Sequence, residues 1–255
     1  MTNVRVLRVF TRDHDGGNHL GVVEDPAGLD TAAMQRIATQ LGYSETVFFE
    51  SDKVRIFTPV AEMPFAGHPI VGSAWVLGDG EDGATGTMTI QVGDIDYLIE
   101  NGVSWVRFEQ PGRVSTADES QAAAFSLPLP HRAYLVELPL PYLVFEYDDV
   151  DVVAAADPDM DAIAASGAEV YMVAPGAEAL RARFFAPAMG VDEDPATGSA
   201  ATALAAIRVA QGQHHGEQLI YQGEEIKQPC AIKLRWSDSE VSLGGTVTED
   251  EPRNI

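Results

Sequence analysis

Cysteine is nearly absent from this chain of 255 residues, Cys230 being its one thiol. A single cysteine excludes an internal disulfide and fits a reducing, cytoplasmic setting. Positive charge is scarce as well: 16 Lys and Arg stand against 39 Asp and Glu, for a formal net charge of −23. Such a surface repels nucleic acid and anionic lipid, and the aromatic residues carry no basic interleaving, so a nucleic-acid partner is not expected. The acids are spread along the chain, so the charge reads as solubility rather than as an acidic tail. No apolar run reaches the ~18–20 residues of a membrane span, and no membrane partner is expected. The first 17 residues lack a charged segment followed by a long apolar stretch and a small-residue cleavage site, so no secretory signal is expected there. A G-x-S-x-G elbow, a Walker loop and a G-x-G-x-x-G helix opening are missing too. His214 and His215 are adjacent, with no Cys or His at ligand spacing, so no metal site is expected. The acidic glycine run from Gly78 to Gly83 lacks EF-hand ligand spacing and reads as a surface turn.

An internal repeat is present. Val54-Arg55-Ile56-Phe57-Thr58-Pro59 is followed by Pro64-Phe65-Ala66-Gly67-His68-Pro69. Ala182-Arg183-Phe184-Phe185-Ala186-Pro187 is followed by Pro195-Ala196-Thr197-Gly198-Ser199-Ala200. Both blocks recur in the same order, at an offset near half the chain. Each copy reads as a strand, a turn at proline, a glycine and then an apolar helix.

The helices have distinct characters. Asp30 can cap a helix through Leu41, with Met34, Ile37, Ala38 and Leu41 on one face. Asp157 is the expected cap of a helix through Met160, Ile163 and Ala164. The helices after Gly67 (Pro69 in the first turn) and after Gly198 (to Ala210, stopped by Gly212) have almost no polar face and should be buried. Most other segments alternate or are β-branched and read as strands. The expectation is an α+β protein of two pseudo-symmetric halves, each a curved, mostly antiparallel, barrel-like sheet around a central apolar helix. The halves are expected at residues 1–112 and 120–245, with a boundary in Gln110–Gln121 and a tail that can return to the first half.

A helix start exposes unpaired N–H groups and a partial positive charge, and a preceding glycine lets a carboxylate approach. This chain has two such starts, at Gly67-His68 and Gly198-Ser199. If the halves face each other, both aim at one cleft and give an acidic protein a means of holding a small anionic substrate. A single such glycine would equally serve close helix–strand packing. Glu45 precedes the apolar Val47-Phe48-Phe49, where burial would raise its pKa and suit it to proton transfer. Taken alone, it reads equally as a rim glutamate. His68 and Asp194, taken alone, read equally as helix caps.

Ser44-Glu45-Thr46, Pro64 to Pro69 and Glu193-Asp194-Pro195-Ala196-Thr197-Gly198-Ser199 resemble three signature blocks of the phenazine-biosynthesis PhzF family. Phe10-Thr11 with Gly17-Asn18, Gln222-Gly223 and Gly244-Gly245 extend the resemblance over nearly the whole chain, with His19 standing where the family usually has proline. The resemblance implies the diaminopimelate-epimerase-like fold and a cofactor-independent isomerase, often homodimeric. It implies Glu45 as the acid/base, with His68 and Asp194 as the other catalytic polar groups. It also implies substrate binding by Asn18, Gly67, Gly198 and Ser199. Two-thiol racemase chemistry of that fold is excluded, because the corresponding loops carry Phe65-Ala66 and Ala196-Thr197. The expected function is proton movement within a small carboxylated, cyclic or unsaturated substrate, without metal or cofactor. The alternatives are a small-carboxylate binding protein without turnover and an enzyme of this fold with another reaction, such as hydrolysis.

Overall fold

A computed structural model describes residues 1–109, 112–138 and 141–255. Gln110 and Pro111, at the head of the expected boundary, lie outside the described residues. The chain divides into two compact units, Met1–Phe108 with Ser242–Ile255, and Glu109–Val241.

The first unit contains β1 (Asn3–Thr11), β2 (Asn18–Val23), α1 (Thr31–Leu41), β3 (Glu45–Glu50), β4 (Lys53–Phe57), β5 (Glu62–Met63), α2 (Gly67–Leu77), β6 (Thr85–Ile90), β7 (Gly93–Glu100) and β8 (Val103–Glu109). The second contains β9 (Arg113–Thr116), α3 (Gln121–Ala124), β10 (Arg132–Glu137), β11 (Pro141–Glu146), α4 (Val150–Ala154), α5 (Met160–Ser166), β12 (Glu169–Pro175), β13 (Leu180–Ala186), β14 (Val191–Asp194), α6 (Gly198–Ala210), β15 (Gly216–Gln222) and β16 (Cys230–Trp236). The last strand, β17 (Glu240–Asn254), lies mostly in the first unit.

Each unit is one continuous curl of strands. In the first, β17, β1, β2, β3, β4, β6, β7 and β8 pair in that order, and β8 pairs with β17, closing a ring. In the second, β9, β10, β11, β12, β13, β15 and β16 pair in order. The pairing directions repeat. The β2–β3 and β4–β6 pairs are parallel, as are β11–β12 and β13–β15, and the remaining pairs of each matched series are antiparallel. A parallel pair needs a crossover connection. These crossovers are α1 and α2 in the first unit, and α4–α5 and α6 in the second.

The apolar helices are the buried ones. Gly67 through Ala74 of α2 are all buried, and α2 packs on β1, β2, β3 and β7. A Cβ at Gly72 would stand 2.5 Å from Leu20 Cδ2, so a bare backbone is what lets this helix sit so close to β2. Gly198 and Ala200 through Ile207 of α6 are buried likewise. Outer helix α1 turns Met34, Ile37, Ala38 and Leu41 inward, is capped by Asp30 through the Ala33 N–H, and ends at left-handed Gly42.

One local expectation is revised. The α5 cap is Asp159 rather than Asp157, its side chain accepting from the Ala162 N–H. The Asp159 N–H is held by the Phe125 carbonyl, which delays the helix start. An additional short helix, α4, is capped by Asp149. The boundary stretch contains a paired strand, β9. Strand β17 carries glycines where bulky residues would normally signal a strand. A Cβ on Gly244 would meet Trp105 at 2.4 Å, and one on Gly245 would meet Phe10 at 2.3 Å.

Candidate active site

Parallel pairing places the starts of β2 and β3 side by side, with Leu20 opposite Glu45. The start of α2 arrives at the same end. Asn18, Glu45 and His68 thereby form one constellation in the first unit. Glu45 Oε2 lies 3.3 Å from His68 Nδ1, and Asn18 Nδ2 lies 3.4 Å from the same nitrogen. Ser44 donates its hydroxyl hydrogen to Asn18 Oδ1 at 3.1 Å, which fixes the amide with its NH2 toward the imidazole. His68 Nε2 is 3.3 Å from the His19 carbonyl. A carbonyl only accepts, so Nε2 carries the hydrogen and Nδ1 presents a lone pair. Burial holds His68 neutral, its pKa lowered to about 3. Ala66, at the N-cap of α2, provides no side-chain cap to the first-turn N–H groups beside Gly67.

The second unit holds another constellation at the start of α6. Thr197, at the N-cap, donates its hydroxyl to Asp194 Oδ2 at 2.6 Å rather than capping the helix. Gln222 Nε2 donates to the Asp194 carbonyl at 2.8 Å and to Thr197 Oγ1 at 3.0 Å. Gly198 is buried, and the Ser199 hydroxyl is met by Tyr142 Oη at 2.9 Å. Tyr142 also faces the carboxyl of Glu169. Burial, with Asp194 nearby, pushes Glu169 up to about 7. Burial likewise raises the Tyr142 and Tyr171 phenols, with Asp194 again contributing.

All seven residues named from sequence thus fall in these two constellations: Asn18, Glu45, Gly67 and His68 in one unit, Asp194, Gly198 and Ser199 in the other. Sequence reasoning missed Tyr142, Glu169 and the role of Ser44. Strand register was the signal for Glu169. Arg55 pairs with Phe48 and Arg183 with Met172, so Glu45 and Glu169 stand at matching places three residues upstream. Intervening loops of unequal length hide this match from a search at one fixed offset.

Among the described residues no group of three His, Cys, Asp or Glu side chains is placed to hold a metal ion, and no helix is long and apolar enough to cross a membrane.

Residues 7–249 match the model of the phenazine biosynthesis-like protein family, PhzC-PhzF. The trans-2,3-dihydro-3-hydroxyanthranilate isomerase of Pseudomonas fluorescens is 32% identical, with 91% of this chain and 89% of that protein covered. An uncharacterized isomerase, YddE, of Escherichia coli is 31% identical over 96% of this chain and 91% of its own length. Among solved structures, a PhzF-family protein of Bacillus anthracis superposes with a TM-score of 0.86 at 22% identity, covering 100% of this chain and 98% of that one. A predicted epimerase of Pseudomonas aeruginosa does so with a TM-score of 0.79 at 27% identity, covering 100% and 99%.

Proposed function

The chain belongs to the phenazine biosynthesis-like PhzC-PhzF family, whose relatives are isomerases, and from that premise we propose that Glu45 moves a proton between two atoms of one small carboxylated substrate. The observation that carries this is the 3.3 Å approach of Glu45 to a buried, neutral His68. As carboxylate, Glu45 takes a proton from a substrate carbon, and the electron pair left behind delocalises into the unsaturated or carboxylated substrate. As carboxylic acid, it shares the single lone pair of His68 Nδ1 with the Asn18 amide, and the imidazole steadies the proton without taking it, because burial disfavours imidazolium. Glu45 then returns the proton to another atom of the same molecule, so that no atom is gained or lost. Asn18 and His19 fix the imidazole, and Gly67 binds polar groups of the substrate beside it; in the second unit, Gly198, Ser199 and Asp194 form a binding site for a carboxylate and other polar groups. The substrate is of the cyclic dihydro-hydroxyanthranilate kind, as named for the Pseudomonas relative. The reaction uses neither metal nor organic cofactor, and the protein works as a cytoplasmic homodimer.

Deuterium incorporation tests the reading. With trans-2,3-dihydro-3-hydroxyanthranilate in deuterated water, after chelator treatment and dialysis, wild type should label a substrate carbon. Glu45→Gln should lose at least about a thousandfold of that rate, within the range for removing a general acid/base. Binding without label in wild type would make the protein a carboxylate binder instead.

A further inference from the structure

The second unit carries its own buried glutamate at the place Glu45 occupies in the first, and nothing in the proton transfer above uses it. Glu169 opens β12 as Glu45 opens β3, and it is 8% exposed. Its neighbour Tyr142 is 5% exposed and lies directly across the parallel β11–β12 pair. Tyr142 Oη meets Ser199 Oγ at 2.9 Å, at the N-terminal turn of α6.

We propose that Glu169 is a positioning residue that sets the direction of the hydrogen-bond chain Glu169–Tyr142–Ser199, and so decides whether the Ser199 hydroxyl donates to a bound carboxylate. This deepens, and rests on, the reading of Ser199 as a substrate-binding residue. The number of hydrogens forces the choice. A phenol has a single O–H, so Tyr142 donates either to Ser199 or to Glu169, never to both. When Glu169 carries a proton, it donates to Tyr142, Tyr142 donates to Ser199, and the Ser199 hydrogen is free to point at an anion. When Glu169 is ionised, it takes the Tyr142 hydrogen, and Ser199 turns its own hydrogen back toward the phenol oxygen. The substrate then faces a lone pair instead of a donor.

The setting makes the switch operate near neutral pH. Burial is the main cause that pushes Glu169 up to about 7. The groups that face it are Tyr142 from β11 and Asp194 from β14, and the charge of Asp194 opposes ionisation of Glu169 further. Tyr171, on the same strand as Glu169, feels Asp194 as well, but its raised phenol stays protonated through this range. Tyr142 is raised in the same way, so it relays hydrogen-bond direction without ionising.

The experiment is calorimetric titration of anthranilate, whose own charge is constant from pH 6 to 8.5, into the full-length protein. Wild type should bind about tenfold more weakly at pH 8.5 than at pH 6, the size of one hydrogen bond to a charged group. Glu169→Gln, whose amide does not titrate in this range, should bind with a flat profile. Tyr142→Phe leaves the Ser199 hydrogen no phenol oxygen to turn toward, so its profile should be flat as well. A wild-type profile retained in either variant overturns the proposal, as does absence of anthranilate binding by wild type at every pH. If Glu169→Gln does not fold, the flattened profile in Tyr142→Phe decides. A failure of the proton-transfer reading is seen separately, as no deuterium incorporation by a wild type that still shows the pH-dependent anthranilate binding.

Discussion

His68 is buried to 4% exposure with a carboxylate, an amide and a carbonyl around its ring. Its charged form is disfavoured by burial, and its pKa is about 3 against 6.5 for the free side chain. The unfolded chain therefore binds a proton that the folded chain refuses between pH 6.5 and about 3. Because the folded pKa is the lower one, this contribution is present above pH 6.5 and lost as pH falls toward 3. Urea unfolding of wild type and His68→Gln at pH 7 and pH 4.5 should show wild type losing ~2–3 kcal/mol relative to the variant. Parallel loss in both would mean that the imidazole is not held neutral. Glu169 runs with the opposite sign. Its raised pKa means that its contribution is present below pH 4.5 and lost as pH rises through about 7.

At the scale of elements the repeat shows as a duplicated ion pair. Arg55 grips Glu62 with two hydrogen bonds, at 2.8 and 2.7 Å, linking β4 to β5. Arg183 grips Glu193 at 2.9 and 2.8 Å, linking β13 to β14. Each guanidinium also lies over the phenylalanine two residues on, Phe57 or Phe185. The copies differ in burial. The first pair is 17% and 32% exposed, the second only 8% and 9%, and Arg183 donates further to the Val153 and Ala156 carbonyls. Breaking a buried pair strands a charge, whereas an exposed one is replaced by water. Denaturant unfolding should therefore give ~3 kcal/mol of destabilisation for Arg183→Met and ~1 kcal/mol or less for Arg55→Met. Equal losses would show that burial is not what separates the copies. The arginine repeat itself is plain in the sequence. The glutamates that answer it are not, because seven residues separate Arg55 from its partner and ten separate Arg183 from its own.

Over the whole molecule the strongest electrostatic feature is a net charge of −23 on 255 residues. Self-repulsion of that size opposes any association of identical chains and is screened by salt. The proposed homodimer should thus tighten as ionic strength rises. Light scattering should report twice the 27.3 kDa chain mass at 1 M salt and a lower average at 10 mM. A single-chain mass at every salt concentration would remove the dimer from the proposal.

Patterns local in the chain were legible from the sequence alone. These were the apolar character of α2 and α6, the amphipathic face of α1 and the duplicated Arg and Gly blocks. They could be read because helix periodicity, caps and glycine-to-helix corners are set by residues a few positions apart. Asn18, Glu45, His68 and Asp194 were singled out by the resemblance to the PhzF family, not by such patterns. Pairing between distant segments had to come from the tertiary structure. Only the parallel β2–β3 and β11–β12 registers bring Glu45 to His68 and Glu169 to Tyr142. Only close packing explains why β17 carries Gly244 and Gly245 against Trp105 and Phe10. Register and burial are properties of segments far apart in the chain, and no window of neighbouring residues contains them.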